Sequence, residues 1–128
     1  MYSEKEASLL SPRLLAYIGD SIYELKTRCF YMTNGYRKVN QLHQKTIEMV
    51  NATAQARALE IIKNNLKDIE QDIVRRGKNA NTGQVPSNSK ILDYRSNTGL
   101  EALFGFLYLS GQESRLEELW QEISDTFL

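Results

Sequence analysis

Two carboxylates stand where their surroundings give little reason for one. Asp20 interrupts the run Leu14-Leu15-Ala16-Tyr17-Ile18-Gly19-Asp20-Ser21-Ile22-Tyr23. Glu101 interrupts Leu100-Glu101-Ala102-Leu103-Phe104-Gly105-Phe106-Leu107-Tyr108-Leu109. An unpaired carboxylate withdrawn from water costs several kcal/mol even after relaxation, so each acid is expected to acquire a cation, a metal or a proton. Gly19 adjoins Asp20, and Gly105 lies one turn after Glu101. A glycine inside a helix gives up roughly 0.5–1 kcal/mol against alanine. Close approach of the two helices is the expected compensation, and it brings the acids together. Two converging hard oxygen ligands suit Mg²⁺, which keeps much of its water shell and takes one or two protein carboxylates; Mn²⁺ is a substitute. Such a site can activate a water and neutralise charge on a phosphodiester. The residues alone leave a second reading open, in which each acid reaches water or pairs with a base on its helix face.

Charge is distributed unevenly around these acids. Sixteen basic and sixteen acidic residues give a net charge of zero, which argues against a chain held on nucleic acid by bulk charge. Between residues 75 and 95, however, Arg75, Arg76, Lys78, Lys90 and Arg95 face only Asp93, whereas residues 112–128 carry Glu113, Glu117, Glu118, Glu122 and Asp125 against Arg115. Arg75, Arg76, Lys78 and Asn79, with Lys90 and Arg95, form a basic, amide-rich set that suits a phosphate-bearing partner. The family resemblance given below implies that they are RNA contacts, since duplex RNA is gripped through phosphates and 2′-hydroxyls, mainly by shape. Glu24 lies one turn after Asp20, where it can bind a metal-bound water, but its place four residues before Arg28 favours a salt bridge. His43 has no partner spacing for a zinc site or a triad and reads as structural or RNA-adjacent.

The elements that must position these residues are helices throughout, and the fold class is all-α. Ser11-Pro12 is a strong helix start, a hydroxyl cap followed by proline at the first helical position. Leu14, Leu15, Ile18, Ile22, Leu25, Cys29 and Met32 then recur at spacings of three and four, up to Asn34-Gly35. A second helix is expected at about 39–50, with Leu42, Ile47 and Val50 inward. A third is capped near Asn51, with Ala54, Ala58, Ile61 and Ile62 apolar. In a fourth, Asp68 caps, Ile69, Ile73 and Val74 pack, and Gly77 closes. Residues 77–89 read as a long loop, the kind that is usually functional or mobile. A fifth helix runs from Asn88 or Lys90 to Ser110. The last spans 114–127, with Leu116, Leu119, Trp120, Ile123 and Phe127 on one face and an acidic outer face, as a cover. Tyr17, Phe104, Phe106 and Tyr108 read as core or dimer interface.

Composition narrows the class. The 128 residues fit one domain, 1–128, with 41% hydrophobic and 25% charged residues, ordinary for a globular protein. The single Cys29 has no intramolecular disulfide partner, and nothing beside it has zinc spacing, so a reducing cytoplasm is expected. The apolar stretch around 103–109 is too short to cross a bilayer, and no secretory signal opens the chain.

Two phrases carry a resemblance. Tyr17-Ile18-Gly19-Asp20-Ser21 resembles the core of the ribonuclease III signature, and the phrase Glu101-Ala102-Leu103-Phe104-Gly105-Phe106-Leu107-Tyr108-Leu109 resembles that family's second motif, about 80 residues later. The wider pattern is similar to the mini-ribonuclease III branch, which lacks an appended double-stranded-RNA-binding domain. Its matching phrases are Leu15-Ala16-Tyr17-Ile18-Gly19-Asp20, Leu42-His43, Arg76-Gly77-Lys78-Asn79-Ala80, and Tyr94-Arg95 with Thr98 before Glu101. The resemblance implies a homodimeric, Mg²⁺-dependent endoribonuclease that cuts both strands of duplex RNA, with 23S ribosomal RNA precursor as its substrate and Asp20 and Glu101 as metal ligands. This chain has Arg13, Ala16 and Thr98 where the larger relatives have further acids, as the mini branch generally does. The alternative is a non-catalytic RNA-binding or ribosome-assembly module on the same fold. A third reading is a helical interaction protein in which the two acids pair with buried bases.

Overall fold

The structure, a computed structural model, describes residues 1–80 and 90–127. The described residues form seven α-helices and no strand: α1 (Glu4–Ser8), α2 (Pro12–Thr33), α3 (Val39–Val50), α4 (Ala52–Ile62), α5 (Asp68–Asn79), α6 (Ile91–Leu109) and α7 (Glu113–Phe127), with a single 3-10 turn at Lys63–Asn65. The all-α reading holds. Ser11 caps α2, its hydroxyl accepting from Leu14 N at 3.2 Å, with Pro12 in the first turn. Asn51 caps α4, accepting from Ala54 N at 2.8 Å.

The centre of the molecule is α6. From Gly99 onward it is buried nearly all round, and it packs against α2, α5, α4, α7 and α1. A helix apolar on every side belongs in a core, and Leu100, Leu103, Phe104, Phe106 and Leu107 are each fully buried. Tyr23 of α2 stacks on this core, its ring 5.2 Å from Phe104 and edge-on to Trp120 at 5.4 Å. Trp120, Leu116, Leu119 and Ile123 close the core from α7, so the last helix is the cover its apolar face implied.

Contact between α2 and α6 is backbone on backbone. A Cβ on Gly19 would fall 1.6 Å from the Glu101 carbonyl oxygen, and one on Gly105 would fall 1.9 Å from that of Leu15. No side chain fits in either gap, which accounts for two glycines inside long helices. A second such seam joins α5 to α6, where a Cβ on Gly77 would lie 2.8 Å from the Gly99 Cα.

Several boundaries and faces differ from the sequence reading. The short helix α1, with its Ser3–Glu6 capping box, was not foreseen. Lys67 precedes the first helical residue of α5 where Asp68 was expected, and the Glu70 carboxylate accepts from Lys67 N at 2.9 Å. Gly77 does not close α5: it packs against Gly99, and the helix continues to Asn79. Residues 77–79 of the expected loop are therefore helical, while 81–89 lie outside the described residues. In α3 the inward residues are Thr46 and Met49, with Ile47 45% exposed, and in α4 they are Gln55, Ala58, Leu59 and Ile62. The α2 stripe divides into two faces. Leu15, Ala16, Gly19, Tyr23 and Thr27 meet the core, while Leu14, Tyr17, Leu25 and Met32 are exposed.

Candidate active site

The α2–α6 seam sets Asp20 and Glu101 on one cleft of about 200 Å³. Its walls come from α2 (Arg13, Ala16, Tyr17, Asp20), α5 with its C-cap (Gly77, Lys78, Ala80) and α6 (Tyr94, Arg95, Thr98, Glu101). Two acids and three cations thus face one another across a small opening. The expected convergence of the acids is observed, but their settings are unequal. Asp20 is exposed, against the expectation that both acids are withdrawn from water, and Glu101 is the half-buried one. The difference follows from their helices, since α2 lies at the surface and α6 at the centre.

Glu101 has no basic partner among the described ion pairs. Burial raises its pKa first. Asp20 adds to the rise, as the acceptor of a hydrogen bond from the protonated form and as a neighbouring negative charge, while Gln55 and Asn97 act in the opposite direction; the net value is pushed up to about 9. Asn97, one turn before Glu101 on α6, donates from Nδ2 to Oε1 at 3.3 Å. A carboxyl so placed has an unmet demand for positive charge. No group of three or more His, Cys, Asp or Glu residues suited to a metal occurs among the described residues. Asp20 and Glu101 are the two carboxylates that line the cleft among the described residues, a pair that could hold Mg²⁺ with most of its coordination left to water and substrate.

Arg13, Ala16 and Thr98 all line this cleft. They are the positions that the resemblance matches to further acids of the larger relatives, and the structure brings all three to the cleft. Thr98 turns its hydroxyl to Tyr94 O at 3.1 Å, and Arg13 brings a cation.

The six expected RNA contacts separate in space. Lys78 and Arg95 stand in the cleft wall and also border a neighbouring groove, which Asn79 shares. Lys90 is exposed at the N-cap of α6. Arg75 is exposed and pairs with Asp72 of its own helix. Arg76 is engaged elsewhere, donating to Ser8 O at 2.6 Å and Leu10 O at 3.2 Å, where it ties α5 to the α1–α2 link. Glu24 makes its salt bridge to Arg28 at 3.2 Å, and His43 is exposed on α3 without lining the cleft.

Sequence reasoning missed Gln55 and Asn97, and it named Arg13 and Tyr94 only within the family comparison, without a role at the site. Asn97 carried a usable signal, its place four residues before Glu101 on one helix face. Gln55 carried a weaker one, a lone amide among the alanines of α4.

Residues 13–112 match the model of the ribonuclease III domain. The chain is 44% identical over 116 residues to a protein of Symbiobacterium thermophilum named Mini-ribonuclease 3, covering 91% of this chain and 89% of that one. It is 40% identical over 118 residues to the Mini-ribonuclease 3 of Brevibacillus brevis, covering 92% and 88%. A protein of Fusobacterium nucleatum solved by X-ray crystallography superposes with a TM-score of 0.84 at 30% identity, covering 94% of this chain and 96% of that one.

Proposed function

This chain belongs to the ribonuclease III domain family and is an endoribonuclease, and we propose that it cleaves double-stranded RNA with Mg²⁺ held between Asp20 and Glu101. The observation that carries the proposal is the half-buried Glu101 carboxyl beside Asp20, with no basic side chain paired to it among the described residues. When bound, Mg²⁺ supplies a Lewis acid for the scissile phosphate and lowers the pKa of an attacking water. Asp20, from the surface, and Glu101, from the core, supply its protein oxygens. Asn97 orients the Glu101 carboxylate. Lys78, Arg95 and Arg13 face the same cleft, where they attract the phosphodiester and stabilise negative charge as it develops. Asn79 and Lys90 extend the contact along the duplex, and Arg75 lies at its margin.

The exposed apolar face of α2, with Leu14, Tyr17 and Leu25, and Tyr108 of α6 support a homodimer. Its two-fold axis would match that of a duplex and place one cleft on each strand. The 128 residues then act as a single catalytic domain. The resemblance to the mini-ribonuclease III branch supports 23S ribosomal RNA precursor as the natural substrate and the cytoplasm as the place of action. No helix among the described residues is long and apolar enough to cross a membrane.

The test maps cuts on a 23S precursor transcript with wild type and Asp20→Asn side by side. Wild type is expected to cut both strands with Mg²⁺ and to stop with a chelator. Asp20→Asn is expected to fold, to bind duplex RNA and to lose turnover. Binding without cleavage by wild type under all Mg²⁺ and Mn²⁺ conditions would remove the proposal.

A further inference from the structure

The two acids come from α2 and α6, but one more polar side chain reaches toward them from α4. Gln55 is 0% exposed. It sits in the small-residue run Ala52-Thr53-Ala54-Gln55-Ala56, on a helix packed directly against α6. Neither atom of its amide has a hydrogen-bond partner among the described residues. A buried amide left unpaired on both sides is a standing cost that leucine or methionine at the same position would remove. Such a group needs a reason.

The unpaired buried atoms are not scattered. Five are found among the described residues: two on Gln55, one on Thr46, one on Tyr23 and one on Arg95. The Tyr23 hydroxyl is fully buried and feels the charge of Glu101, and Arg95 lines the cleft. Among the described residues, four of these five atoms thus belong to residues that line the cleft or bear on Glu101. The Gln55 amide lies near enough to that carboxyl to favour its ionised form, though short of a full hydrogen bond, whereas Asn97 makes one from within α6.

We propose that Gln55 is a positioning residue, whose carboxamide, together with that of Asn97, holds the Glu101 carboxylate in the orientation that accepts a divalent cation alongside Asp20. The proposal rests on the reading of Asp20 and Glu101 as metal ligands. Mg²⁺ demands near-ideal geometry from its oxygens, and a glutamate side chain has several rotatable bonds to be fixed. Groups that hydrogen-bond a ligating carboxylate supply that constraint, and losing one costs about 10–100-fold in metal affinity. With only two acids in the site, each orientation counts for more. A carboxamide suits the task because it donates to the carboxylate without bringing a charge that would compete with the cation, as a lysine would.

Mn²⁺ serves as the probe, titrated into the full chain and read from the resonance signal of the free ion, for wild type, Asp20→Asn and Gln55→Met. Methionine keeps about the same volume and removes both unpaired polar atoms. Gln55→Met is expected to bind Mn²⁺ about 10–100-fold more weakly than wild type. Its melting temperature in chelator is expected to be unchanged or raised, and its KM for duplex RNA at saturating metal unchanged. A Mn²⁺ affinity within about twofold of wild type overturns the proposal. A Gln55→Met chain that does not fold overturns it too, because the amide is then structural. If wild type itself binds no Mn²⁺, the metal reading falls and this one falls with it. If wild type binds, Asp20→Asn does not and Gln55→Met matches wild type, only the positioning role is lost.

Discussion

Glu70 on α5 and Glu101 on α6 both turn their carboxyls into the protein, and the difference in their surroundings that matters most is a resident cation. Glu70 is 1% exposed. Arg115 grips it with two bonds, Nε to Oε2 at 2.9 Å and Nη2 to Oε1 at 2.8 Å, and the Lys67 N–H donates a third at 2.9 Å. Burial works to raise the pKa of Glu70, but the Arg115 and Lys67 hydrogen bonds overcome it and the net shift is downward. Glu101 pairs with no cation among the described residues, where amides and another acid act on it, and its pKa is pushed up to about 9. One carboxylate is satisfied within the chain and fastens α5 to α7. The other keeps an unmet demand for charge, at the mouth of a cleft. The electrostatic state of a buried acid therefore tells a structural residue from a ligand more clearly than burial does.

Exchanging each acid for its amide tests the contrast most severely. Glu101→Gln is expected to cut cleavage by roughly 10³-fold or more, since several kcal/mol of transition-state stabilisation is lost. Its stability in chelator should be equal to or above that of wild type. Glu70→Gln leaves Arg115 with only the exposed Glu118 as an anionic partner and is expected to lower unfolding stability by about 3 kcal/mol, while the protein that remains folded keeps its turnover. Denaturant melts and single-turnover cleavage on both variants decide the matter, and a common phenotype would erase the distinction.

The two acids should also tilt stability with pH in opposite senses. Between the ordinary value of 4.5 and about 9, folded protein without metal holds the Glu101 proton more tightly than the unfolded chain does. Stability therefore falls as pH rises through that window. The contribution of Glu70 is fully present above the ordinary carboxylate pKa and is lost as pH falls through its lowered one. Urea melts in chelator should show a decline toward alkaline pH that disappears in Glu101→Gln, and an acid limb that shrinks in Glu70→Gln. A decline of equal size in Glu101→Gln would assign it to another group. Divalent binding must expel the Glu101 proton, so metal affinity should climb with pH up to about 9.

The smallest expected effects separate two neighbouring cations on α5. Arg76→Ala removes the tie to Ser8 and Leu10 and is expected to cost about 1–2 kcal/mol of stability with little change in KM for RNA. Lys78→Ala should leave stability unchanged, raise KM and reduce the salt slope of RNA binding by about 1. Salt-dependent binding curves that change equally in both variants would return Arg76 to the RNA surface.

Much of this was legible in the sequence, for identifiable reasons. Ser11-Pro12 and Asn51 are local signals, and the caps they foretold are in place. Gly19 and Gly105 announced a close crossing because nothing else explains two glycines in apolar helices. What failed was orientation around each axis. The periodicity of α2 merges a core face with an exposed apolar face, so Leu14 and Leu25 were indistinguishable from Leu15. Gly77 looked like a terminator because a glycine that ends a helix and one that lets a neighbour approach are the same letter. Arg76 was grouped with Lys78 by adjacency, yet the two side chains point toward different elements. Gln55 was only faintly marked, as a lone amide among alanines, because its meaning depends on what α4 packs against.

The glycine seam has a consequence for how this molecule tolerates change. Since the α2 and α6 main chains touch at Gly19 and Gly105, the interval between the two acids is gauged by peptide against peptide. Side chains elsewhere in the core can drift in size and shape, and the molecule will gain or lose robustness without retuning its catalytic span.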